Sequence, residues 1–425
     1  MSLENFDFEK ILERISPEKE DKKKLTKTIS EITKKILKIS KKKGYDIDVV
    51  PGGSTAKDTF LKDNFDVDIF IRFKTLGDLS NMLEQLLIDL AGELGIAVKR
   101  IHGSRDYFQF QYKEFFFEII PVKYIRSIEE VENITDMSPL HVFWIQNKLD
   151  EELKKNIRLA KQFCKSAGVY GAESHIKGLS GHVLDILVIY YGGFIEFVKA
   201  VSEWEKPVVI DPEKTHINVF KELNKAKLQS PLILIDPINP SRNAAAALSE
   251  EKFNGLVKRS KKFLEEPNKT FFEIQKFSFK KIFNKLTKEE LLFVISIKPL
   301  EGKKDVIATK VLKIFEFLKT HLSLEDFEVT KSEWFFDEEE SKLLIFVKNE
   351  QLSEYFEREG PPVKNIDSAN HFREVHGDKA FERNGRLYVM IKRKFTNPLS
   401  YMQHLLKQEY VSEKINNYRL ELFVK

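Results

Sequence analysis

Apolar and polar positions repeat along the chain with two different periods, and the change of period divides it. Over 5–43 the period is helical: Leu25, Ile29, Ile32, Ile36 and Ile39 recur every three or four residues and predict the second of two helices. The segment 45–50 alternates and closes on Pro51-Gly52-Gly53, which predicts a strand running into a turn. The segment 65–73 alternates again, with Val67, Ile69, Ile71 and Phe73 on one side and Asp66 and Asp68 on the other. A helix around 77–94 and a β-rich stretch over 96–123 complete a small α+β domain. From 141 to 205 the strand pattern is lost. Helices are predicted over 148–166 and 178–203, separated by a loop at 168–171, and a further helix starts in the Ala-rich 242–249. Pro267 is read as a boundary. Beyond it, strands at 291–297, 343–347 and 386–394 alternate with helices at 305–321 and 350–358. That order suits an RNA-recognition-like ferredoxin fold, without its aromatic RNP1 pattern.

Composition narrows the class. At ~150 residues per domain, 425 residues suit roughly three domains. With 42% hydrophobic and 32% charged residues the chain reads as ordinary globular protein, and 35 Phe beside 12 Tyr and 3 Trp predict an aromatic-rich core. The single cysteine, Cys164, excludes an internal disulfide and a Cys-based zinc site, and the nine His form no HExxH. The N-terminus lacks a basic-then-apolar pattern, and no uncharged run reaches the ~18 apolar residues of a membrane span, so a cytoplasmic protein is expected. The net charge is only +4. Its distribution says more: basic residues crowd 22–43 and 258–262, as a phosphate-backbone footprint or as solvated helix faces.

The candidate chemistry lies in 52–68. Two residues apart on a strand, Asp66 and Asp68 share a face, and two such anions repel unless a divalent cation or a proton lies between them. Just upstream, Gly52-Gly53-Ser54 offers unobstructed backbone N–H groups and a hydroxyl to a phosphate, and Lys57 adds a cation. Together they describe a metal–nucleotide site. Glu118, inside the near-continuous apolar strand 115–121, is the candidate third carboxylate, because a charge there needs a partner. A salt bridge to a neighbouring Lys or Arg is the other reading.

A Gly-Gly-Ser turn followed by a strand-borne Asp-x-Asp resembles the signature of the polymerase-β-like nucleotidyltransferase superfamily. More narrowly, the chain resembles the archaeal-type, class I CCA-adding enzymes over most of its length. The similarity is carried by 135–141, by Arg158 to Lys161 with 168–173 and 177–181, by 236–245, and by 381–386 with 393–398. The resemblance implies a multidomain α+β protein. Its parts would be a nucleotidyltransferase head over 1–140, a helical neck over 141–262, an RRM/ferredoxin-like body over 263–305 and 382–425, and a tail over 306–381. It implies that Asp66, Asp68 and Glu118 hold two Mg²⁺ ions, one activating the RNA 3′-hydroxyl and the other steadying the leaving pyrophosphate. Gly53, Ser54, Lys57, His141, Lys161 and Tyr170 would bind the triphosphate, and Arg242 would read the base. The implied reaction adds C, C and A to the 3′ end of tRNA from CTP and ATP without a nucleic-acid template, gripping the acceptor arm. A homodimer is expected on the same ground alone.

Read locally, Tyr170 also suits a loop anchor, His141 a partly buried histidine, and Arg242 an ion pair opening a helix. The chain departs from the family at four places. Lys57 stands where Arg is usual, Met137 replaces the Arg of an Asp-Arg pair, 102–107 lacks the usual His-Pro-Tyr, and Glu118 replaces the commoner Asp. Two other readings share the head: a poly(A) or oligoadenylate polymerase, and a non-catalytic RNA-binding relative. For RNA, Lys303, Lys304, Arg393 and Lys394 are the candidate phosphate contacts. Phe315, Phe317, Trp334, Phe335 and Phe336 sit at core spacing, which leaves few for base stacking.

Overall fold

The structure, a computed structural model, describes residues 3–62, 66–75, 77–103, 105–274 and 277–425. Phe65, the expected start of the second strand, and Ser104 lie outside them. The chain forms two compact units, Met1–Gln275 and Lys276–Lys425.

The first unit opens with helices α1 (Phe8–Ile15) and α2 (Lys19–Lys43), then β1 (Ile47–Pro51), the one-turn α3 (Gly53–Ala56) and β2 (Asp66–Phe73). Helix α4 (Leu79–Leu94) leads to β3 (Lys99–Ile101), β4 (Tyr107–Tyr112) and β5 (Phe115–Lys123). These strands form one sheet in the order β1-β2-β5-β4-β3. The β2–β5 pair is parallel and the other pairs are antiparallel. Alternation along β2 does what its pattern predicts. Val67, Ile69, Ile71 and Phe73 are buried against Ile32 and Ile36 of α2 and Leu83, Leu86 and Leu90 of α4. At ~1.5–3 kcal/mol per fully buried side chain, this layer fixes the register of β2 and with it the opposite face, which carries Asp66 and Asp68. The exposed face of α2 bears Lys23, Lys24, Lys27, Lys34 and Lys38, while Lys22, Lys35 and Lys43 pair with Asp58, Glu93 and Asp89.

A helical layer follows: α5 (Ser138–Gln146), α6 (Glu151–Ser166), α7 (Gly181–Tyr191), α8 (Phe194–Ser202), the short α9 (Val219–Glu222) and α10 (Glu250–Glu265). Between them, β6 (Val208–Ile210) and β7 (Leu232–Leu234) make a parallel pair. The phenylalanines concentrate here: Phe163, Phe194, Phe197, Phe263 and Phe272 are fully buried in one cluster, which also takes Ile11, Leu12 and Ile15 of α1. Arg259, from the second basic run, lies over the rings of Phe163 and Phe271 and is part of this packing.

Two expected helices differ here. The run 178–203 is broken into α7 and α8 at Gly192-Gly193, where φ values of +85° and +156° leave the helical region. Residues 242–249 form turns, not a helix. The buried Asn243 side chain accepts from the N–H groups of Leu234 and Ala245 and donates to the carbonyls of Lys227 and Leu232, so it competes with helical pairing. Arg242 therefore sits in a turn, and helix α10 begins only after its Ser249 cap.

In the second unit, α11 (Phe279–Phe283), β8 (Glu290–Pro299), α12 (Lys304–Leu324), β9 (Val329–Phe335) and β10 (Ser341–Lys348) precede β11 (Tyr355–Pro362), α13 (Ile366–His376), β12 (Ala380–Arg383) and β13 (Arg386–Lys392). The chain closes with α14 (Pro398–Leu406), α15 (Glu409–Ser412) and β14 (Ile415–Val424). The antiparallel sheet β14-β8-β10-β9 with α12 and α14 has the βαββαβ order of the expected ferredoxin-like body. Between its third strand and second helix lies a separate sheet, β11-β13-β12. That sheet spans 355–392, while α12, within the 306–381 expected as a tail, buries Val311, Ile314 and Leu318 on β8 and β10. Residues 355–362 are a strand paired with β13 where a helix over 350–358 was expected. Strand β8 is covered on both faces, by α12 and α14 on one and by Ile282 and Leu286 on the other, which explains its unbroken apolar run. The five aromatics considered for stacking all pack against these clusters.

Candidate nucleotide and metal site

The site lies within the first unit, between the sheet and the helical layer. Strand β1 ends at Pro51, and the N–H of Gly52 donates to the Asp68 carbonyl at 2.7 Å. Gly53 starts α3 at φ +55°, and a Cβ there would stand 1.8 Å from Asp68 Oδ2. Only glycine meets both conditions. The turn thus comes as close to the Asp68 carboxylate as backbone can. Ser54 follows in α3 and is half-buried.

Asp68 and Glu118 are register partners on the parallel strands β2 and β5, so their side chains share a face, and Asp66 lies two residues up the same face. On β4, Gln109 is opposite Glu118 and donates its side-chain amide to it. Asp66 is exposed and Asp68 half-buried. Burial, then the charges of Glu118 and Asp66, push the Asp68 carboxyl up to about 7 against the pull of Lys57. A carboxyl raised by neighbouring carboxylates is short of a cation, and three oxygen donors of this kind suit Mg²⁺.

Lys57 and Lys161 meet on one carboxylate. Lys57 bonds the Oδ2 of Asp185, and Lys161 Nζ lies 3.2 Å from its Oδ1. All three are buried. Lys161 also donates to the hydroxyl of Thr59 at 2.9 Å and to its carbonyl at 3.2 Å. Burial lowers Lys161 to about 8, against Asp185. Beside it on α6, Arg158 donates to the Phe60 carbonyl at 3.1 Å and to Asp58 Oδ1 at 2.8 Å, which fastens the turn after α3 to the helical layer. The Tyr170 hydroxyl reaches the start of α7 on the Lys161 side: a Cβ on Gly181 would stand 2.9 Å from it and 3.9 Å from Lys161 Cε.

His141 and Arg242 meet on a second carboxylate, Asp236. His141 Nε2 lies 2.8 Å from Oδ1, and Arg242 donates to Oδ2 at 2.7 Å. Burial opposes ionisation of Asp236, but His141 and the N–H groups of Ile238 and Asn239 more than offset it and hold the carboxyl well below its usual range. His182 lies beside His141 with ring centroids 4.5 Å apart and the rings tilted by 57°, and burial with the nearby His141 and Lys57 lowers it to about 3. His141, His182 and Asp236 bring three donor atoms within 4.8 Å. The Asp236 oxygens are already taken by His141, Arg242 and two amides, so this group reads as a hydrogen-bonded cluster and not as a metal centre.

The sequence-predicted residues thus fall into three groups: Gly53, Ser54, Asp66, Asp68 and Glu118 at the sheet and the turn against it, Lys57, Lys161 and Tyr170 at α6 and α7, and His141 with Arg242 around Asp236. Sequence reasoning missed Asp185 and His182. Asp185 was findable, since a carboxylate inside the apolar run 183–188 needs a buried partner. The family departure at Met137 also has a structural counterpart. Met137 is buried, and the neighbouring Asp136 takes its guanidinium from Arg105.

Sheet, turn and carboxylates define the nucleotidyltransferase class, and residues 33–157 match the nucleotidyltransferase domain family. A poly(U) polymerase with Mg and 3′-dATP bound superposes with a TM-score of 0.51 at 14% identity, over 63% of this chain and 98% of that one, a likeness of fold. The rest of the chain is more particular. Residues 155–273 match the second domain of tRNA nucleotidyltransferase, and residues 291–418 match the C-terminal domain of CCA-adding enzymes. The CCA-adding enzyme of Nanoarchaeum equitans is 34% identical over 92% of this chain and 94% of its own. That of Sulfurisphaera tokodaii is 29% identical over 98% and 97%. The chain belongs to the family of archaeal CCA-adding enzymes and is a tRNA nucleotidyltransferase. Among the described residues, no helix is long and apolar enough to cross a membrane.

Proposed function

We propose that this enzyme adds C, C and A to the 3′ end of tRNA, taking CTP and ATP as substrates and two Mg²⁺ ions as cofactors, in the cytoplasm. The observation that carries the reading is the Asp68–Glu118 pair across β2 and β5, with Asp66 on the same face and the Gly53 turn against Asp68. The donor set fits the metal: three carboxylates on one face, one of them pushed up to about 7 by burial and then by its neighbours. Bound there, Mg²⁺ would supply charge neutralisation for in-line displacement at the α-phosphate. The chain's own residues do the rest. The backbone at Gly53 and the Ser54 hydroxyl face the triphosphate, Lys57 and Lys161 neutralise it, and Tyr170 and His141 add donors. Arg242, held by Asp236, reads acceptors on the base. The second unit supplies the grip on the acceptor arm.

The test is extension of tRNA lacking its 3′ end, resolved at single-nucleotide length. Two additions with CTP and a third once ATP joins are expected. A long A ladder, or tRNA binding without extension, would overturn the reading.

A further inference from the structure

Asp185 has no role in the reading above, yet it is fully buried beside the site, and both lysines assigned to the triphosphate end on it. We propose that Asp185 is a positioning residue for nucleotide binding, holding the ammonium groups of Lys57 and Lys161 side by side where the triphosphate enters. This rests on the reading of those two lysines as triphosphate ligands.

Two buried ammonium groups converging from different elements repel each other. Lys57 comes from the turn after α3 and Lys161 from α6, and nothing in either element compels them to converge. The carboxylate from α7 does. One oxygen faces each lysine, and Thr59 fixes the remaining direction of Lys161. The charged groups acting on Lys161 are Asp185 from α7, Lys57, and Arg158 on its own helix, while His182 and the Tyr170 hydroxyl lie with Asp185. Asp185 is the anion among them. Even with it, burial already lowers Lys161 to about 8. Without it, burial and the two neighbouring cations would push Lys161 further toward its neutral form and weaken its hold on a phosphate. Neither Asp185 nor its two oxygens need touch the nucleotide.

The experiment compares wild type and Asp185→Asn for equilibrium binding of Mg·CTP and of cytidine at pH 7.5, and for KM and kcat in tRNA extension. Asp185→Asn should weaken CTP binding at least tenfold, leave cytidine binding within twofold, and raise KM for CTP and ATP alike with kcat within about threefold. Equal loss of CTP and cytidine, which a merely structural role would give, overturns the proposal, as does unchanged CTP binding. If Asp185→Asn does not fold, the double variant Lys57→Met/Asp185→Asn removes one buried cation together with the anion. It should still bind CTP at least threefold more weakly than Lys57→Met alone, through the unsupported Lys161, and equality between the two overturns the proposal. Failure of the functional reading shows separately, as wild-type protein that does not extend tRNA.

Discussion

Gly53 is where backbone and chemistry are least separable. Its φ of +55° and the missing Cβ together let the turn lie against Asp68. Gly53→Ala should therefore cost about 1–3 kcal/mol of stability and displace the Asp68 carboxylate. The expected result is a fall in kcat/KM of at least a hundredfold with a folded protein by circular dichroism, and near-wild-type turnover would refute this account of the turn. Asp66→Ala and Asp68→Ala should each abolish extension while leaving tRNA binding by gel shift unchanged. Asp68 also sets a pH dependence. Its folded value, about 7, lies above the ordinary 3.8, so the metal-free protein binds that proton more tightly than the unfolded chain does. Stability from this group is present below pH 4 and is lost as pH rises through 7. A divalent cation held by these carboxylates would take the proton's place. Mg²⁺ should thus raise the melting temperature more at pH 8 than at pH 6, and Asp68→Asn should remove the difference. Equal shifts at both pH values would show that Asp68 does not titrate there.

At the scale of elements, what was legible followed from period, and what was not depended on partners distant in sequence. Helix α2 and strand β2 could be read because their apolar positions keep a strict spacing over several turns or pairs, and the facing layer only completes them. The break between α7 and α8 is carried by two glycines that a helical pattern tolerates on paper. In 242–249 alanine content suggested a helix, and a single side chain, Asn243, decided otherwise through bonds to β7 and to Lys227. Strand β11 owes its form to pairing with β13 some thirty residues on, which no local pattern announces. The site was legible at the sheet for the same reason as the sheet itself. Its helical side was reached through family resemblance, and Asp185 escaped both routes. Arg158 shows how one element places another. It is buried, and it fastens the turn at Asp58 and Phe60 to α6. Arg158→Met would take a donor from the Phe60 carbonyl and leave the Asp58 carboxylate to Lys22, at a cost of ~3 kcal/mol. Because Lys57 and Thr59 lie on the same turn, KM for CTP should rise along with the loss of stability. A melting temperature lowered with KM unchanged would mean that the turn holds its place without Arg158.

For the whole molecule, the division into two compact units assigns thermodynamic roles as well as chemical ones. The first has its own aromatic core and carries every residue assigned to metal and nucleotide, and the second has separate cores around its ferredoxin-like sheet. A ligand stabilises what it binds by RT ln(1 + [L]/Kd), about 2.7 kcal/mol at a hundredfold excess over Kd. For a unit of this size that corresponds to a rise of ~5 °C or more in melting temperature. Calorimetry of the full chain should resolve two transitions, and saturating Mg·CTP should raise only the one belonging to the first unit. Variants mark which is which. Phe263→Ala, which hollows the first unit's aromatic cluster, should lower the CTP-responsive transition, and Leu318→Ala, in the second unit, should lower the other. Asp68→Ala should abolish the response to Mg·CTP without moving the second unit's transition. A single transition that shifts as a whole with nucleotide would show instead that the two cores melt as one cooperative body, and that nucleotide binding at the head is felt energetically by the part of the enzyme assigned to hold tRNA.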